Sequence, residues 1–523
     1  MGAFLQSLRP HLKKRPGNRR WLYVAYDQLS QSIGPLATED PRELGIVLIE
    51  SADKASRRPY HRQKLALVLA NMRHFALEQA LRGVAVHYEF TDQDYGTALR
   101  RIVAETGPLQ VLRPAERELR FELGPLFREG MLKELPHDGW LTLPADFQAL
   151  GEAPWRMDAF YRKVRQRTGI LMEGQKPVGG QYSFDAENRR PWKGAPPAPT
   201  PPGFKPDEIT TEVCELIEQR YSSHPGVLNP ETLPAAAADV ERLWAWAQQS
   251  CLPHFGPYED AMSTRSTGLF HTRISPLLNL QRLSASRVVN EVLELPIPIA
   301  SKEGFVRQIL GWREFVRHVH EATDGMRTLS GQPLENNALQ ADLTLPPVFW
   351  GGKSGLACLD QVLEDVWSEG YSHHITRLMV IGNIATLLGI EPRQLSDWFR
   401  VAYTDAYDWV VEPNVLAMAT YGTGALMTTK PYVAGSAYID RMSDYCKGCV
   451  FDPKRSCPLT AMYWDFLGRN SKNLQGNQRI AMPLRAQARR SAQQKRRDAL
   501  ITKQVRASLE QGKALGDHLG FEA

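Results

Sequence analysis

Three cysteines lie within twelve residues near the C-terminus of the chain, in the arrangement Cys446-Lys-Gly-Cys449 followed by Cys457 and a proline. Two close thiolates, a third after a loop and a proline behind the last one are typical of iron–sulfur ligation. A complete set needs a fourth donor, and Cys358 is the upstream candidate. Structural zinc also takes four cysteines, so spacing alone leaves an iron–sulfur cluster, zinc and unliganded thiols all open.

A second segment with chemical potential is RSTGLFHTRISPLLNLQRLS (265–284), which combines hydroxyls with Arg265, His271 and Arg273. Ser275-Pro276 predicts a helix start within it, because a hydroxyl cap followed by proline is a common helix N-terminus. Such a terminus attracts phosphate through its free N–H groups and the helix dipole. The alternative is an ordinary capped helix without a ligand.

Two adjacent histidines, His373 and His374, stand in the segment GYSHHITRLMVIGN (370–383). On a helix they point about 100° apart, so both cannot easily bind one metal ion, and we expect His373 to face elsewhere. A buried histidine beside a flavin or a substrate can donate a proton near neutral pH. A histidine that only packs in the core is the alternative.

The elements that position these motifs follow from the hydrophobic pattern. Short apolar runs alternate with amphipathic stretches over residues 20–150, which predicts a doubly wound parallel sheet. The clearest helical pattern is KLALVLANMRHFALEQALR (64–82). The ligand crevice of such a fold lies at the carboxyl ends of the strands, near Asp27, Gln28 and Glu50. The runs that predict buried strands are WLYVAY (21–26), GIVLIE (45–50), VAVHYEF (84–90) and LQVLRP (109–114).

A proline-rich segment, PWKGAPPAPTPPGF (191–204), predicts a linker, because proline interrupts helices and central strands. Beyond about residue 205 the pattern is helical almost throughout. The predicted organisation is a basic, frayed N-terminal tail (1–19), an α/β domain (20–150), an interdomain linker (151–205), an all-α domain (206–480) and a basic C-terminal extension (481–523).

Composition limits the class of protein. The chain has 523 residues, of which 43% are hydrophobic and 23% are charged. These values are typical of a folded protein that is large enough to bury a sizeable hydrophobic core. No apolar run approaches the ~18 residues of a membrane span, and no secretory segment is recognisable, so we exclude an integral membrane protein and expect the reducing cytoplasm. Basic residues concentrate in 155–167 and 485–506. Such stretches suit a polyanion such as nucleic acid, or else form solvated helix faces.

Several longer motifs resemble one known family, the iron–sulfur bacterial cryptochromes and photolyases, which comprise the prokaryotic (6-4) photolyases and their photosensory relatives. The similarity extends from DQLS (27–30) to about Arg479 and so covers nearly the whole chain. The motifs that carry it are GFVRQILGWREFVRHV (304–319), EGYSHHITRLMVIGN (369–383), DAYDWVVEPNV (405–415), TKPYVAGSAYIDRMSDYCKGC (429–449) and CPLTAMYWDFL (457–467).

The resemblance implies the photolyase/cryptochrome fold, with an α/β antenna domain before an all-α domain that binds FAD. It implies a 4Fe–4S cluster on Cys358, Cys446, Cys449 and Cys457. It also implies an antenna chromophore, 6,7-dimethyl-8-ribityllumazine, at Asp27, Gln28 and Glu50. The positions that match flavin-pocket motifs are Tyr258, His271, Thr272, Ser275, Glu303, Gln308, Arg313, Arg377, Asn383 and Asp405. Among these, Thr272 and Ser275 would hold the phosphates, and Arg377 and Asp405 would form an ion pair beside the isoalloxazine ring.

The resemblance also assigns catalytic roles. His374 matches the histidine that donates a proton to the (6-4) lesion, and Tyr432 and Tyr438 match lesion-pocket tyrosines. Trp398 and Trp350 match an electron route from solvent to flavin, in which Phe399 stands where a tyrosine could assist. Taken alone, aromatic residues of this kind are more often core. Opposite flavin N5 the family pattern WVELPN carries a glutamate, whereas this chain reads Trp409-Val410-Val411-Glu412-Pro413-Asn414.

The implied function is light-driven repair of (6-4) photoproducts in UV-damaged DNA by a monomeric enzyme that binds no membrane. One alternative is a cryptochrome-like photoreceptor with the same cofactors and no repair. A second alternative is a non-photochemical iron–sulfur module that binds DNA, akin to the large subunit of primase.

Overall fold

Five parallel strands form the sheet of the N-terminal region. The computed structural model describes residues 2–12 and 19–516. The order of the strands along the sheet is β3-β2-β1-β4-β5, and the reversal at β1 makes the sheet doubly wound. This confirms the predicted fold class. The strands are β1 (Arg20–Tyr23), β2 (Leu44–Ser51), β3 (Ala85–Thr91), β4 (Leu109–Leu112) and β5 (Leu132–Leu135).

The burial of each strand explains which strands the sequence reveals. All eight residues of the inner strand β2 are buried, so the strand reads as a continuous apolar run. Gly45 within it is required by a close approach, since a Cβ there would lie 2.5 Å from the ring of Trp21. The edge strand β5 was not predicted, because exposed Lys133 and Glu134 separate its two leucines.

Helices cover both faces of the sheet, and α4 begins and ends within two residues of the helix predicted over 64–82. The helices of this half are α1 (Ala3–Leu8), α2 (Pro35–Thr38), α3 (Ala52–Ser56), α4 (Arg62–Leu81), α5 (Tyr95–Thr106), α6 (Arg117–Arg128), α7 (Pro144–Gln148) and α8 (Met157–Thr168).

Two segments predicted to lie outside the domains are packed into the protein instead. In the N-terminal tail, Phe4 and Leu8 of α1 are buried, and the N–H of Phe4 donates to a carboxylate oxygen of Glu212 at 3.0 Å. In the predicted linker, α8 buries Phe160 and Val164 completely. Apolar residues four apart on these short helices are enough to dock them. The proline-rich stretch 191–204 itself forms neither helix nor strand.

The rest of the described chain is mainly helical and irregular, and it also contains two short antiparallel ribbons, Met172–Glu173 with Lys176–Pro177 and Thr328–Leu329 with Gln332–Pro333. Its helices are α9 (Glu208–Arg220), α10 (Ala237–Trp246), α11 (Leu252–Phe255), α12 (Ser275–Asn279), α13 (Ala285–Glu294), α14 (Ile299–Val306), α15 (Glu314–Ala322), α16 (Ala357–Glu369), α17 (Asn383–Leu388), α18 (Pro392–Ala402), α19 (Asp408–Glu412), α20 (Ser436–Met442), α21 (Pro458–Arg469), α22 (Ala481–Arg489) and α23 (Ala492–Glu510).

Four π-helical segments interrupt or extend these helices: Ala247–Cys251, Arg307–Arg313, Thr376–Gly382 and Pro413–Ala419. The predicted C-terminal extension also belongs to the helical body, since Val505 and Leu509 of α23 are fully buried. Within the described ranges, the helices are too short or too polar to cross a membrane.

Candidate active site

A cavity of about 240 Å³ opens in the helical domain, and we call it the helical cavity. Phe255, Phe305 and Trp409 are among its apolar lining residues. Three of the π-helical segments contribute polar side chains to it. Gln308 and Arg313 come from Arg307–Arg313, Arg377 comes from Thr376–Gly382, and Asn414 comes from Pro413–Ala419. Because a π-helical turn carries one extra residue, it changes the direction of the side chains that follow, and such turns are frequent at functional sites.

A bidentate ion pair lines this cavity. The two terminal nitrogens of Arg377 lie 2.9 and 3.0 Å from the carboxylate oxygens of Asp405. The hydroxyl of Ser275 donates to the same carboxylate at 2.6 Å, and the guanidinium of Arg377 stacks 4.1 Å over the ring of Tyr403. Burial opposes the charge on Asp405, but Arg377 outweighs it and lowers the pKa of that carboxyl below its ordinary value. The predicted pair is therefore formed and ionised.

Three histidines meet at the same cavity. The rings of His271 and His373 stack with their centroids 4.4 Å apart, and His374 adjoins them. The expectation that His373 faces away from the site is wrong, because both neighbouring histidines line the cavity. Within the described residues, Nδ1 of His373 is buried without a hydrogen-bond partner.

The surroundings keep these histidines neutral. Burial, and then the charge of Arg377, lowers the pKa of His374 to about 4, although the ring is accessible from the cavity. Burial lowers the pKa of His271 to about 3, and it also lowers that of His373. At neutral pH each imidazole therefore carries a single N–H.

The remaining predicted cavity residues fall into two groups. Gln308 lines the cavity and donates to Glu259 at 2.6 Å, and burial raises the pKa of that glutamate to about 7. Arg313 also lines it, beneath Trp140 at 4.5 Å, with its buried Nε unpartnered in the described structure. Thr272 and Ser275 line it as well, but the Ser275 hydroxyl already donates to an acid.

Three predicted flavin residues do not line this cavity. The phenol of Tyr258 donates to the carbonyl of Ala195 at 3.1 Å. Glu303 accepts the N–H of Phe184 at 2.9 Å. The amide of Asn383 bonds both the N–H and the carbonyl of Ala434. All three stabilise neighbouring chain segments, and the cavity instead contains Glu259, Asn279 and Asn414, which sequence analysis did not single out.

The acid displaced by one position has a structural role. Glu412 lies outside the helical cavity, where it accepts from His320 at 3.1 Å and from Arg393 at 2.9 Å. Burial alone would raise the pKa of Glu412, but these partners lower it to about 2. From the segment 410–414, the cavity is lined by the apolar side chain of Val410 and the amide side chain of Asn414 rather than by an acid.

The two tryptophans predicted to carry electrons, Trp398 and Trp350, lie at the two ends of a row of three tryptophan rings. Trp398 is 1% exposed and Trp350 is 47% exposed. The ring of Trp367 lies between them.

The predicted lesion tyrosines also lie outside the lining of the helical cavity. The phenol of Tyr438 donates to Asp260 at 3.3 Å, and Arg441 packs over its ring. Burial and the charge of Asp185 raise the pKa of Tyr432. Asp260 directly follows the cavity residue Glu259 and lies 3.9 Å from Arg189, whose charge also acts on Tyr432, so both tyrosines border one polar cluster next to the cavity.

The four predicted ligand cysteines are neighbours in the fold. Burial raises the pKa of Cys358, and the thiols of Cys457, Cys446 and Cys449 raise it further. All four belong to one apolar cluster of the helical domain. Among the described residues, no group of three or more His, Cys, Asp and Glu side chains converges closely enough to hold a single metal ion.

A smaller cavity of about 70 Å³, the interdomain cavity, lies between the sheet and the helical domain. Of the three predicted antenna residues only Glu50 lines it, and its carboxylate is paired with Arg73 at 2.7 and 3.0 Å. The amide of Gln28 donates to the carbonyl of Leu112 at 2.9 Å. Asp27 is buried, which raises its pKa to about 7. These three side chains do not form one ligand set.

Comparison with known proteins identifies the family. A model described as deoxyribodipyrimidine photo-lyase-related protein matches residues 22–233. The (6-4) photolyase of Agrobacterium fabrum is 36% identical over 486 residues, covering 89% of this chain and 94% of that protein. The chain belongs to the photolyase-related family. An uncharacterised protein of Acanthamoeba polyphaga mimivirus is 32% identical over 102 residues, covering 20% of this chain and 80% of that protein.

Solved structures agree on the fold of this photolyase-related chain. A bacterial class III photolyase from Agrobacterium tumefaciens matches with a TM-score of 0.57 at 14% identity, covering 95% of this chain and 99% of that one. The cryptochrome of Synechocystis sp. PCC6803 matches with a TM-score of 0.53 at 14% identity, covering 95% and 100% of the two chains. These matches confirm the predicted photolyase/cryptochrome fold.

Proposed function

We propose that the protein repairs (6-4) photoproducts in UV-damaged DNA with light, using FAD bound in the helical cavity. The observation that carries this proposal is the meeting of the Arg377–Asp405 pair with His374 in that cavity. The relative that is 36% identical is named a (6-4) photolyase, which supports the same activity here.

The lining of the helical cavity fits a flavin. Buried nitrogens of His373 and Arg313 lack partners within the described structure, so they are free to bond a ligand. Arg377 and Asp405 would flank the ring system, and Thr272 offers a hydroxyl for a phosphate. When bound, FAD supplies the light-driven one-electron chemistry.

His374 is the side chain that would give a proton to the lesion. Its imidazole is neutral at pH 7, but negative charge that develops on a neighbouring substrate would raise its pKa. The ring could then take up a proton from water and pass it to the substrate as the imidazolium. The lesion has to leave the duplex to reach the cavity, which costs least where stacking is already damaged. Tyr432 and Tyr438, beside the cavity, would contact the extruded bases.

Exposed basic side chains would hold the DNA backbone. Arg162 and Lys163 of α8 and Arg485 and Arg489 of α22 are exposed, which suits contacts to phosphate without sequence preference. Other basic residues of these stretches have structural roles: Arg165 is fully buried, Arg167 is paired with Asp146, and Arg490 is paired with Asp498.

A 4Fe–4S cluster is the metal group that the four cysteines would hold. What supports the iron–sulfur cluster is that the spacing of these cysteines is typical of iron–sulfur ligation and that the four thiols lie close enough to act on the pKa of Cys358. Replacing Cys358 with alanine should abolish iron binding and destabilise α20–α23, whereas the control Cys214→Ala should retain a full iron content. Four irons in the Cys358 variant would contradict the ligand set.

The antenna chromophore stays a prediction. The residues assigned to it do not line one cavity, so we derive no step from it. Monomeric state and cytoplasmic location also stay predictions.

The deciding experiment is a repair assay. Purified protein is mixed with an oligonucleotide that carries one (6-4) product, and intact bases are counted by chromatography in blue light and in the dark. We expect bound FAD and light-dependent repair. Bound FAD with light-induced spectral changes and no repair would instead identify a photoreceptor. A flavin-free protein would contradict both functions.

A further inference from the structure

Three tryptophan rings form a continuous row through the helical domain. Trp398 lies 6.0 Å from Trp367, with the rings at 86°, and Trp367 stacks on Trp350 at 5.8 Å and 25°. Exposure rises along the row, because Trp398 is 1% exposed, Trp367 is half-buried and Trp350 is 47% exposed. The row therefore leads from the core to solvent.

One backbone carbonyl holds the two inner rings in place. The indole N–H of Trp367 donates to the carbonyl of Phe349 at 3.0 Å, and the indole N–H of Trp398 donates to the same oxygen at 2.8 Å. Trp350 is the next residue in the chain, so a single peptide positions all three rings. An amide oxygen is a very weak base, and it can therefore stabilise an electron-deficient indole without removing its proton.

In the described part of the chain, the other rings beside Trp398 are those of Phe349, Phe399 and Tyr403, and none of them offers a comparable route to solvent. The ring of Phe399 lies 5.2 Å away, but phenylalanine is much harder to oxidise than tryptophan or tyrosine. Tyr403 lies 6.0 Å away and is fully buried beneath the guanidinium of Arg377, whose positive charge opposes oxidation of the ring. On its other side, Trp367 stacks on His61, whose pKa burial lowers to about 4, so that imidazole is uncharged.

We propose that Trp367 is the middle relay of the electron route to the flavin. This inference rests on the proposed function, because it requires FAD in the helical cavity. One electron passes from Trp398 to the light-excited oxidised flavin, Trp367 replaces the electron lost by Trp398, and Trp350 replaces the one lost by Trp367. The oxidised Trp350 then loses its indole proton to water. A dissolved thiol returns one electron to the Trp350 radical, and the indole regains a proton from water.

The test compares Trp367→Phe with Trp367→Tyr in the full-length protein. Flavin content is read from the absorption spectrum, light-driven flavin reduction is followed with dithiothreitol, and tryptophan radicals are followed by transient absorption. The phenylalanine variant should bind FAD normally, lose the long-lived radical and be reduced at least about tenfold more slowly, equivalent to about 1.4 kcal/mol in barrier. The tyrosine variant should recover part of the rate, because a phenol can still be oxidised.

Trp246→Phe is the matched control, since Trp246 is also half-buried but lies on α10 away from the row. It should behave like the unsubstituted protein. A wild-type radical yield and reduction rate in Trp367→Phe would overturn the relay while leaving the proposed function intact. Absence of flavin from the unsubstituted protein would overturn both, and circular dichroism distinguishes misfolding from either result.

Discussion

The two cavities differ in which buried polar atoms are left without a hydrogen-bond partner. Among the described lining residues, the phenol hydroxyl of Tyr407 is unpartnered in the interdomain cavity, whereas ring and guanidinium nitrogens are unpartnered in the helical cavity. In the interdomain cavity, Glu50 is paired with Arg73, and Glu116 accepts from Lys54 at 3.3 Å. The ammonium of Lys64 also donates to backbone carbonyls there. In the helical cavity, buried nitrogens of His373 and Arg313 lack partners among the described residues.

The unpartnered nitrogens of the helical cavity are the groups that a hydrogen-bonding ligand would complete. A buried polar atom without a partner costs free energy, which a bound ligand recovers when it completes the bonding. In the interdomain cavity, Glu50 and Lys64 are bonded within the protein, and burial raises the pKa of Glu116 to about 8, so that carboxyl is largely protonated at neutral pH. The helical cavity has hydrogen-bonding capacity left over, which is what a cofactor site requires.

Replacing His374 should have the largest effect on chemistry. We expect His374→Ala to bind FAD while repair falls by about 10²–10⁴-fold, since a positioned acid is lost and the cofactor pocket remains. The measurement is the light-dependent repair rate at fixed flavin content.

His224→Ala is the control for that experiment. This half-buried histidine lines neither cavity, and its ring is hydrogen-bonded to the backbone carbonyl of Tyr60. Its repair rate should stay at the original value. A His374 variant that repairs within a few-fold of that value would remove the histidine from the reaction.

Matched charge deletions compare the cavities directly. Asp405→Asn leaves Arg377 buried without an ion-pair partner and should lower the free energy of unfolding by about 3–5 kcal/mol. Glu50→Gln leaves Arg73 its second partner, Glu212 at 2.9 Å, and should therefore lower it by less. Only Asp405→Asn should also weaken FAD binding. Urea unfolding and flavin titration of both variants measure the two effects. Equal loss of flavin from both would mean that it reports general destabilisation.

The pH dependence of stability should have opposite signs at the two sites. His374 has a folded pKa of about 4 against an ordinary 6.5, so its contribution is lost as pH falls from about 6.5 to 4. Burial, and then Asp408, raises the pKa of Glu116 from 4.5 to about 8, so its contribution is complete below about pH 4.5 and is lost as pH rises to 8.

Glu116→Gln tests this assignment. The variant should flatten the alkaline side of the stability profile and leave the acid side unchanged, as measured by urea unfolding from pH 5 to 9. An alkaline decline that persists in the variant would place the responsible group elsewhere.

The sequence predicted the sheet well, because β2 is buried on both faces and its residues are continuously apolar. It predicted the Arg377–Asp405 pair only through resemblance, since these residues lie 28 positions apart. Trp367 escaped notice because its role depends on two rings from other segments. The packing of α1 was also missed, because two buried residues in a basic segment give a weak pattern.

The π-helical segments make the active site depend on chain length as well as on residue type. Deleting one residue from Arg307–Arg313 would let that turn relax to an α-helix, because a π-helical turn holds one residue more than an α-helical turn. The helix on either side would keep its place, and the side chains of the turn itself would change direction. The lining of the cavity that this turn supplies would then change although no lining residue had been substituted. Homologous chains that differ here by a single insertion or deletion should therefore differ in cofactor binding even when every lining residue is the same.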